Sequence, residues 1–186
     1  FCTVDLSAFY FDIRKDSLYC DAKDSKKRKS TIILLNVILN SLLKWFAPIL
    51  SFTTEEIHRL ITNDDTSIHL TKFLNFPKNF KNENLNQKWL ELIKIRNVCN
   101  ISIEEKRASK EIGSSLEASL KINLDKKLNE ISKDVDFSEL CITSSAEVSY
   151  LESSETNVQT TKAEGSKCQV CWKITKDACS RKTCPQ

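Results

Sequence analysis

Hydrophobic residues recur at three- and four-residue steps along much of the chain, which is the spacing of a helix face packed on a core. The clearest stripe begins at Leu85 and Trp89 and continues to Ile103. A second stretch is apolar on nearly every side, as in the central helix of a bundle. The pattern predicts helices over residues 5–20, 30–46 and 84–111.

Local signals indicate where these helices begin and end. Pro48 ends the apolar helix, because proline lacks the amide hydrogen that a helix interior needs. Thr53 and Glu56 have the spacing of a capping box with Thr53 as N-cap, which predicts a further helix reaching about Ile61. Gly113 is placed to act as the stop of the long helix.

After Gly113 the period of the hydrophobic residues changes from helical to two. Apolar and polar residues alternate from Leu116 to Leu124, which predicts a half-buried strand. A short helix is expected over residues 125–133, and a second strand over residues 140–150. The following segment is polar and is interpreted as a linker.

These elements, together with four cysteines near the end of the chain at positions 168, 171, 179 and 184, predict a mainly α protein, built from a helical bundle, a small α+β appendage and a C-terminal zinc knuckle. The expected parts are the bundle over residues 1–82, the long helix with a small α+β subdomain over 83–152, the linker over 153–166 and the zinc-binding knuckle over 167–186.

The composition is that of a soluble globular protein, with 40% hydrophobic and 28% charged residues in a chain of 186. The formal net charge of +3 is small, so the overall charge argues only weakly for a polyanionic partner. The apolar stretch Ile32–Leu50 includes Lys44 and Pro48, and no membrane span or membrane partner is expected. Because the chain opens at Phe1 and contains no methionine, we expect it to be a C-terminal piece of a longer protein.

Four of the eight cysteines lie near the end of the chain. Cys168 and Cys171 form a CxxC pair, a spacing that lets two thiolates bind one tetrahedral zinc ion. Cys179 and Cys184 are the candidates for the other two ligands, and four protein thiolates would make the site structural. Coincidental thiols are the alternative. The remaining cysteines are scattered without a disulfide framework, which favours a reducing, cytoplasmic setting.

Two groups of cations are candidates for contact with nucleic-acid phosphates. Lys106, Arg107 and Lys110 cluster at the end of the long helix, and Lys173 and Arg181 lie in the cysteine-rich segment. The alternative for the cluster at the end of the long helix is an ordinary solvated surface. Such cations bind phosphates in a way that weakens with added salt and does not depend on the base sequence.

Four segments carry a resemblance to a known family: DLSAFYFDIRKDSLY from Asp5, PILSFTTEEI from Pro48, the stretch from Arg96 to EIGSSLEA, and KCQVCWK from Lys167. Together they resemble the C-terminal region of the bacterial isoleucyl-tRNA synthetases, which are class I aminoacyl-tRNA synthetases. The first looks like the opening helix of the anticodon-binding bundle, and the last looks like the C-terminal zinc knuckle. The third favours the isoleucyl enzymes over the valyl and leucyl ones.

The resemblance implies that the fragment binds the anticodon region of isoleucine tRNA. It also implies catalytic and editing domains N-terminal to this segment in the same chain, where ATP and Mg²⁺ would serve the attachment of isoleucine. The family's His-Ile-Gly-His and Lys-Met-Ser-Lys-Ser signatures are missing from the sequence, so no catalytic residue is expected here and the fragment alone should be inactive. A structural Zn²⁺, a monomer and a cytoplasmic location complete the expectation.

The chain departs from the family pattern at two places. His58 stands where the family usually has tryptophan. The second zinc pair of the family is normally CxxC, whereas four residues separate Cys179 from Cys184. Two alternatives remain at this point: a free-standing zinc-containing RNA-binding module, and the same region of a valyl- or leucyl-tRNA ligase.

Overall fold

A computed structural model describes residues 1–62, 65–150 and 156–176. The chain divides into two compact units, one formed by Phe1–Ala22 with Asn82–Gln186 and the other by Lys23–Lys81. Within the described residues the α-helices are α1 Asp12–Tyr19, α2 Lys26–Phe46, α3 Ser51–Thr62, α4 Glu83–Ala108, α5 Lys126–Ser132 and α6 Phe137–Leu140. The strands are β1 Ala118–Leu124, β2 Ser145–Tyr150, β3 Asn157–Lys162, β4 Ser166–Lys167 and β5 Ile174–Thr175.

The expectation of a mainly α protein with a small α+β part is confirmed by these elements. The first helix begins earlier than its pattern indicates, because Cys2–Phe11 winds as a π-helix before α1 begins. The segment buries Leu6 and Ile13, and Ile13 joins the main hydrophobic core of its unit. No helix among the residues that the structure describes is both long enough and apolar enough to cross a membrane.

In the unit Lys23–Lys81, the N-cap of α2 is Ser25, whose hydroxyl accepts a 3.4 Å hydrogen bond from the Arg28 amide. Its composition predicts burial on all sides, but the helix is buried on only part of its surface. Leu43 is buried with Ala47 and Ile68 in a small core, whereas the Ile33 side chain is exposed. A uniformly apolar helix carries no periodicity, so its sequence does not distinguish the packed face from the others.

The predicted capping box is wrong, because α3 begins at Ser51 and places Thr53 inside the first turn. The Thr54 amide already bonds the Leu50 carbonyl at 3.0 Å, so the helix is under way before the expected N-cap. The carboxylate that fixes this region is Glu55. It accepts hydrogen bonds from the Ile68 amide at 2.9 Å and the Ser67 hydroxyl at 2.9 Å, and thereby holds the following loop.

The long helix α4 begins one residue earlier than predicted and is capped by Asn82, whose side chain accepts a hydrogen bond from the Leu85 amide at 3.0 Å. Its buried stripe is the expected one and consists of Leu92, Ile95, Cys99 and Ile103. The helix ends at Ala108, so the predicted stop at Gly113 is wrong. Lys110 takes the left-handed conformation instead, with φ of 60°.

The sheet of three strands lies against α4, and β1 is its central strand. β1 pairs in parallel with β2 and antiparallel with β3. Its alternation is the predicted one, since Ala118, Leu120, Ile122 and Leu124 are all fully buried. The Ser102 hydroxyl of α4 lies 2.7 Å from that of Thr160 in β3, which ties the helix to the sheet.

Two segments differ from their sequence patterns. The predicted linker over 153–166 contains β3, in which Val158 and Thr160 face the core while the remaining residues are exposed. A strand with a single apolar residue gives too little alternation to be recognised. The second predicted strand begins at Ser145, later than expected, because the residues before it include the short helix α6. Asp136 caps this helix and accepts hydrogen bonds from the Ser138 and Glu139 amides.

Candidate nucleic-acid interface

The cations predicted at the end of α4 do lie together, but two of them are already paired. Lys106 Nζ lies 2.9 Å and 2.8 Å from the two carboxylate oxygens of Glu111. Arg107 Nη1 lies 2.6 Å from Glu104 Oε1. Both pairs are solvent-exposed, so each is worth little to stability and can be exchanged for a phosphate.

Glu111 offsets part of the positive charge of this cluster. Hydrogen bonds from Lys106 and then Ser109 lower the pKa of the Glu111 carboxyl below its ordinary value. The carboxylate is therefore ionised at neutral pH and offsets the charge of Lys106. Glu111 lies five residues after Lys106, and in a continuous helix residues at this spacing do not face each other. The two side chains meet because the helix ends at Ala108, before Glu111.

Lys110 is the cation of this cluster that remains available. Its side chain is exposed, and no carboxylate of the described residues pairs with it. It follows the C-cap residue Ser109, in the left-handed position that ends the helix. Since a helix C-terminus carries partial negative charge, a lysine here is stabilised while its ammonium group extends into solvent. A depression of about 460 Å³ lies beside Lys110, Arg107 and Ile112.

The cysteine-rich segment forms a tight turn between β4 and β5. The Trp172 amide bonds the Cys168 carbonyl at 3.0 Å, and the Cys168 amide bonds the Lys173 carbonyl at 2.9 Å. The Val170 amide points at the Cys168 sulfur, with 3.4 Å between nitrogen and sulfur. An amide donated to a thiolate sulfur is the arrangement that stabilises a metal-bound cysteine, so the turn fits a zinc knuckle.

The structure tests only part of the predicted ligand set. Cys168 and Cys171 lie in the turn, whereas Cys179, Cys184 and the cation Arg181 lie outside the described residues. Within residues 1–62, 65–150 and 156–176, no group of three histidine, cysteine, aspartate or glutamate side chains is arranged to hold a metal ion. The zinc site remains a prediction that rests on the CxxC turn.

Cys20 is the residue that sequence reasoning missed. It is buried at the C-cap of α1 and packs against Cys171 and Cys168. Its sulfur lies 3.9 Å from the Val170 carbonyl. The contact places the end of the first helix directly against the cysteine-rich turn, although 150 residues separate Cys20 from Val170.

Lys173 and Trp172 present different chemistry at the same turn. Lys173 is half-buried, and its ammonium group donates to the Ser138 hydroxyl at 3.3 Å, so it helps to fix the turn on α6. Trp172 is 58% exposed and has φ of 63°. Lys167 Nζ lies 5.4 Å from the centre of the Trp172 ring, a cation–π contact. An exposed indole of this kind provides a flat surface on which a base can stack.

Comparisons with known proteins show which family this chain resembles. The family described as the anticodon-binding domain of tRNA ligase matches residues 1–122. The chain is 67% identical to the isoleucine–tRNA ligase of Pelagibacter ubique, over 97% of this chain and 20% of that protein. It is 40% identical to the isoleucine–tRNA ligase of Agrobacterium fabrum, over 95% of this chain and 19% of that protein.

A further relative is the isoleucine–tRNA ligase of Rhodopseudomonas palustris, which is 40% identical over 94% of this chain and 19% of that protein. The chain thus spans about a fifth of the length of the curated relatives that it matches. The family match covers well over half of the 186 residues and includes α1 to α4. This chain belongs to the anticodon-binding domain family of tRNA ligases.

Proposed function

We propose that this chain is the tRNA-binding part of an isoleucine–tRNA ligase and that it binds the anticodon stem-loop of isoleucine tRNA. The observation that carries the proposal is the 67% identity to an isoleucine–tRNA ligase over 97% of the chain. The match to an anticodon-binding family over residues 1–122 supports the same function. The relatives reported above are isoleucine ligases, which favours isoleucine over valine or leucine.

In this proposal the cations at the end of α4 contact tRNA phosphates. Lys110 contributes an exposed ammonium group, while Lys106 and Arg107 exchange their exposed carboxylate partners for phosphate on binding. Unstacked bases of a single-stranded loop are read by stacking on aromatic rings and by hydrogen bonds to their edges. Trp172 supplies such a ring, and Lys173 and Arg181 add charge in the cysteine-rich segment.

We further propose that a structural zinc ion holds this segment in its folded conformation. Cys168 and Cys171 would bind it, with Cys179 and Cys184 as the other candidate ligands. The amide of Val170, 3.4 Å from the Cys168 sulfur, supports this, because it stabilises a thiolate at that position. The role of the metal would be to fold the turn and hold Trp172 and Lys173 in place.

The larger protein implied by the relatives would carry out the ATP-dependent attachment of isoleucine to its tRNA. Catalysis, editing and the binding of ATP and Mg²⁺ would be functions of other domains of that protein. We infer a cytoplasmic monomer, since the cysteines outside the cysteine-rich segment are scattered without a disulfide framework, which favours a reducing setting.

The experiment that tests the proposal is binding of the purified 186-residue chain to an isoleucine tRNA transcript at fixed salt. A transcript with a changed anticodon provides the matched control. We expect clear binding of the first and a loss of affinity for the second. Equal affinity for both would mean sequence-independent phosphate contact and would contradict anticodon recognition.

A further inference from the structure

The first turn of α2 consists of four consecutive cations, Lys26, Lys27, Arg28 and Lys29, and Lys23 lies three residues before it. These five residues form the basic turn of α2. The lysine side chains are all exposed, and Arg28 is half-buried. Because successive residues of an α-helix are about 100° apart, the four helical cations surround the end of the helix instead of lying on one face.

The basic turn concentrates the positive charge of its unit. The segment Lys23–Lys81 contains ten lysines and arginines but only five aspartates and glutamates, although the whole chain has a net charge of only +3. Half of those ten cations belong to the basic turn. A local concentration of one sign of charge attracts a polyanion even where the net charge of the chain is small.

The cations stand where they oppose the dipole of their own helix. A helix N-terminus carries partial positive charge, so cations are unfavourable there and carboxylates are favourable. The first turn of α2 contains no acidic residue. Asp21 and Asp24 precede the N-cap and can offset only two of the five positive charges. The arrangement therefore lowers the stability of the helix, and solvation of a surface gives no reason for it.

Phosphates are the anions that such a turn attracts, either on RNA or on an anionic lipid surface. A helix that lies on a membrane separates its cations onto one face and its apolar residues onto the other. In α2 the cations surround the helix end, so this separation is lacking. The match of residues 1–122, which include α2, to an anticodon-binding family favours RNA.

We propose that the basic turn of α2 contacts the sugar-phosphate backbone of the bound tRNA. It forms a second phosphate-binding surface, on a different compact unit from the cations at the end of α4. Such contacts carry no sequence information, so the basic turn adds affinity for any tRNA and does not distinguish one anticodon from another. The inference rests on the proposed tRNA binding and adds a surface to it.

The test is a double variant of the 186-residue chain, Lys26→Gln with Lys29→Gln, titrated with isoleucine tRNA at several salt concentrations. Two lost phosphate contacts should reduce the slope of log affinity against log salt by about two and weaken binding by roughly 10- to 100-fold at 0.1 M salt. The ratio of affinities for the native and the changed anticodon should stay the same. The midpoint of urea unfolding should not fall, because the two cations oppose the helix dipole.

The matched control is Lys78→Gln with Lys81→Gln, which removes two exposed lysines of the same unit outside α2. It should keep the affinity and the salt slope of the unsubstituted chain. An equal loss in both double variants would show a response to overall charge and would overturn the inference.

Two further results separate this inference from the proposed function. If the unsubstituted chain binds tRNA and distinguishes the anticodons, but the Lys26 and Lys29 variant binds with full affinity, the basic turn is not a contact while the proposed function stands. If the unsubstituted chain binds no tRNA, both are overturned. Binding to phosphatidylserine vesicles is measured beside tRNA, and a loss confined to the vesicles would make the basic turn a lipid contact and overturn the inference.

Discussion

Arg14 and Glu139 form a hydrogen-bonded ion pair, with 2.8 Å between Arg14 Nη1 and Glu139 Oε1, across 125 residues of sequence. Glu139 also accepts a hydrogen bond from the Ser17 hydroxyl at 3.3 Å. The side chains of the pair are only 27% and 14% exposed, so water screens it less than the surface pairs. The pair fixes α1 to α6.

We expect Glu139→Gln to lower the free energy of unfolding by about 1–3 kcal/mol, because it removes a charge-assisted hydrogen bond from a mostly buried position. Urea unfolding measures this change. Lys15→Ala is the control, since it removes the exposed pair of Lys15 with Asp12 and should have no measurable effect. An equal effect of the two substitutions would show that burial does not strengthen the Arg14–Glu139 pair.

The buried stripe of α4 gives a second prediction. Leu92 is fully buried in the main core, whereas Leu90 on the same helix is 46% exposed. Leu92→Ala should cost about 2–5 kcal/mol of unfolding free energy, through lost burial and the cavity left behind. Leu90→Ala should cost much less. Thermal unfolding of the two variants compares them, and similar losses would mean that the assigned helix face is wrong.

Glu55 predicts a dependence of stability on pH in the unit Lys23–Lys81. A hydrogen bond from the Ile68 amide, aided by Ser67 and Arg59, lowers the pKa of the Glu55 carboxyl below its ordinary value of 4.5. A lowered pKa in the folded state gives stability that is present above the ordinary value and is lost as pH falls through the folded one. Glu55→Gln should therefore remove part of the acid-induced loss, as measured by unfolding at pH 7 and pH 3.

The control for this measurement is Glu56→Gln, on the neighbouring residue of α3, whose side chain accepts none of the hydrogen bonds that hold the loop at Ile68. It should keep the pH dependence of the unsubstituted chain. If Glu55→Gln and Glu56→Gln give the same profile, the loop contact does not set the acid response.

The cluster at the end of α4 predicts opposite effects of two substitutions on tRNA binding. Lys110→Glu should weaken binding and reduce the slope of log affinity against log salt by about one, since one phosphate contact is lost. Glu111→Gln should strengthen binding, because it releases Lys106 from its partner. Titrations at several salt concentrations measure both.

The corresponding control is Lys133→Glu, at an exposed lysine of the α5 end that pairs with Glu130. It changes the net charge by the same amount but lies outside the cluster. If Lys133→Glu and Lys110→Glu reduce affinity equally, the binding responds to overall charge and the cluster is not a specific contact.

The zinc proposal predicts metal loss in a single variant. Cys168→Ser should release zinc and unfold only the cysteine-rich segment, leaving the helical signal in circular dichroism unchanged. Elemental analysis of the purified chain measures the metal, and Cys2→Ser, at an exposed cysteine, should retain it. An unsubstituted chain that is ordered at Trp172 without any bound metal would refute the proposal.

The helices and the central strand could be predicted because burial imposes a period on the sequence. The stripe from Leu92 to Ile103 and the alternation from Ala118 to Leu124 both face the core as expected. Helix ends were harder, because several residues can end a helix. Lys110 takes the left-handed position that Gly113 was expected to occupy, since local packing and hydrogen bonding outweigh the intrinsic preference for glycine.

The candidate site was predictable by residue type but not by arrangement. The clustering of Lys106, Arg107 and Lys110 is visible in the sequence, whereas the pairing with Glu111 depends on where the helix ends. The contact of Cys20 with the cysteine-rich turn depends on tertiary structure, and no periodicity links residues so far apart. The sequence does not predict strand β3, because its residues are mostly exposed and do not alternate between apolar and polar.

The division of the chain has a consequence for how it folds during synthesis. One compact unit combines Phe1–Ala22 with the part of the chain that starts at Asn82, while Lys23–Lys81 finds its contacts within one continuous stretch. A ribosome adds about 5–20 residues per second, so Arg14 waits roughly 6–25 s before Glu139 is made. The continuous stretch can therefore fold first, and the Arg14–Glu139 pair forms only after the later half of its unit has emerged.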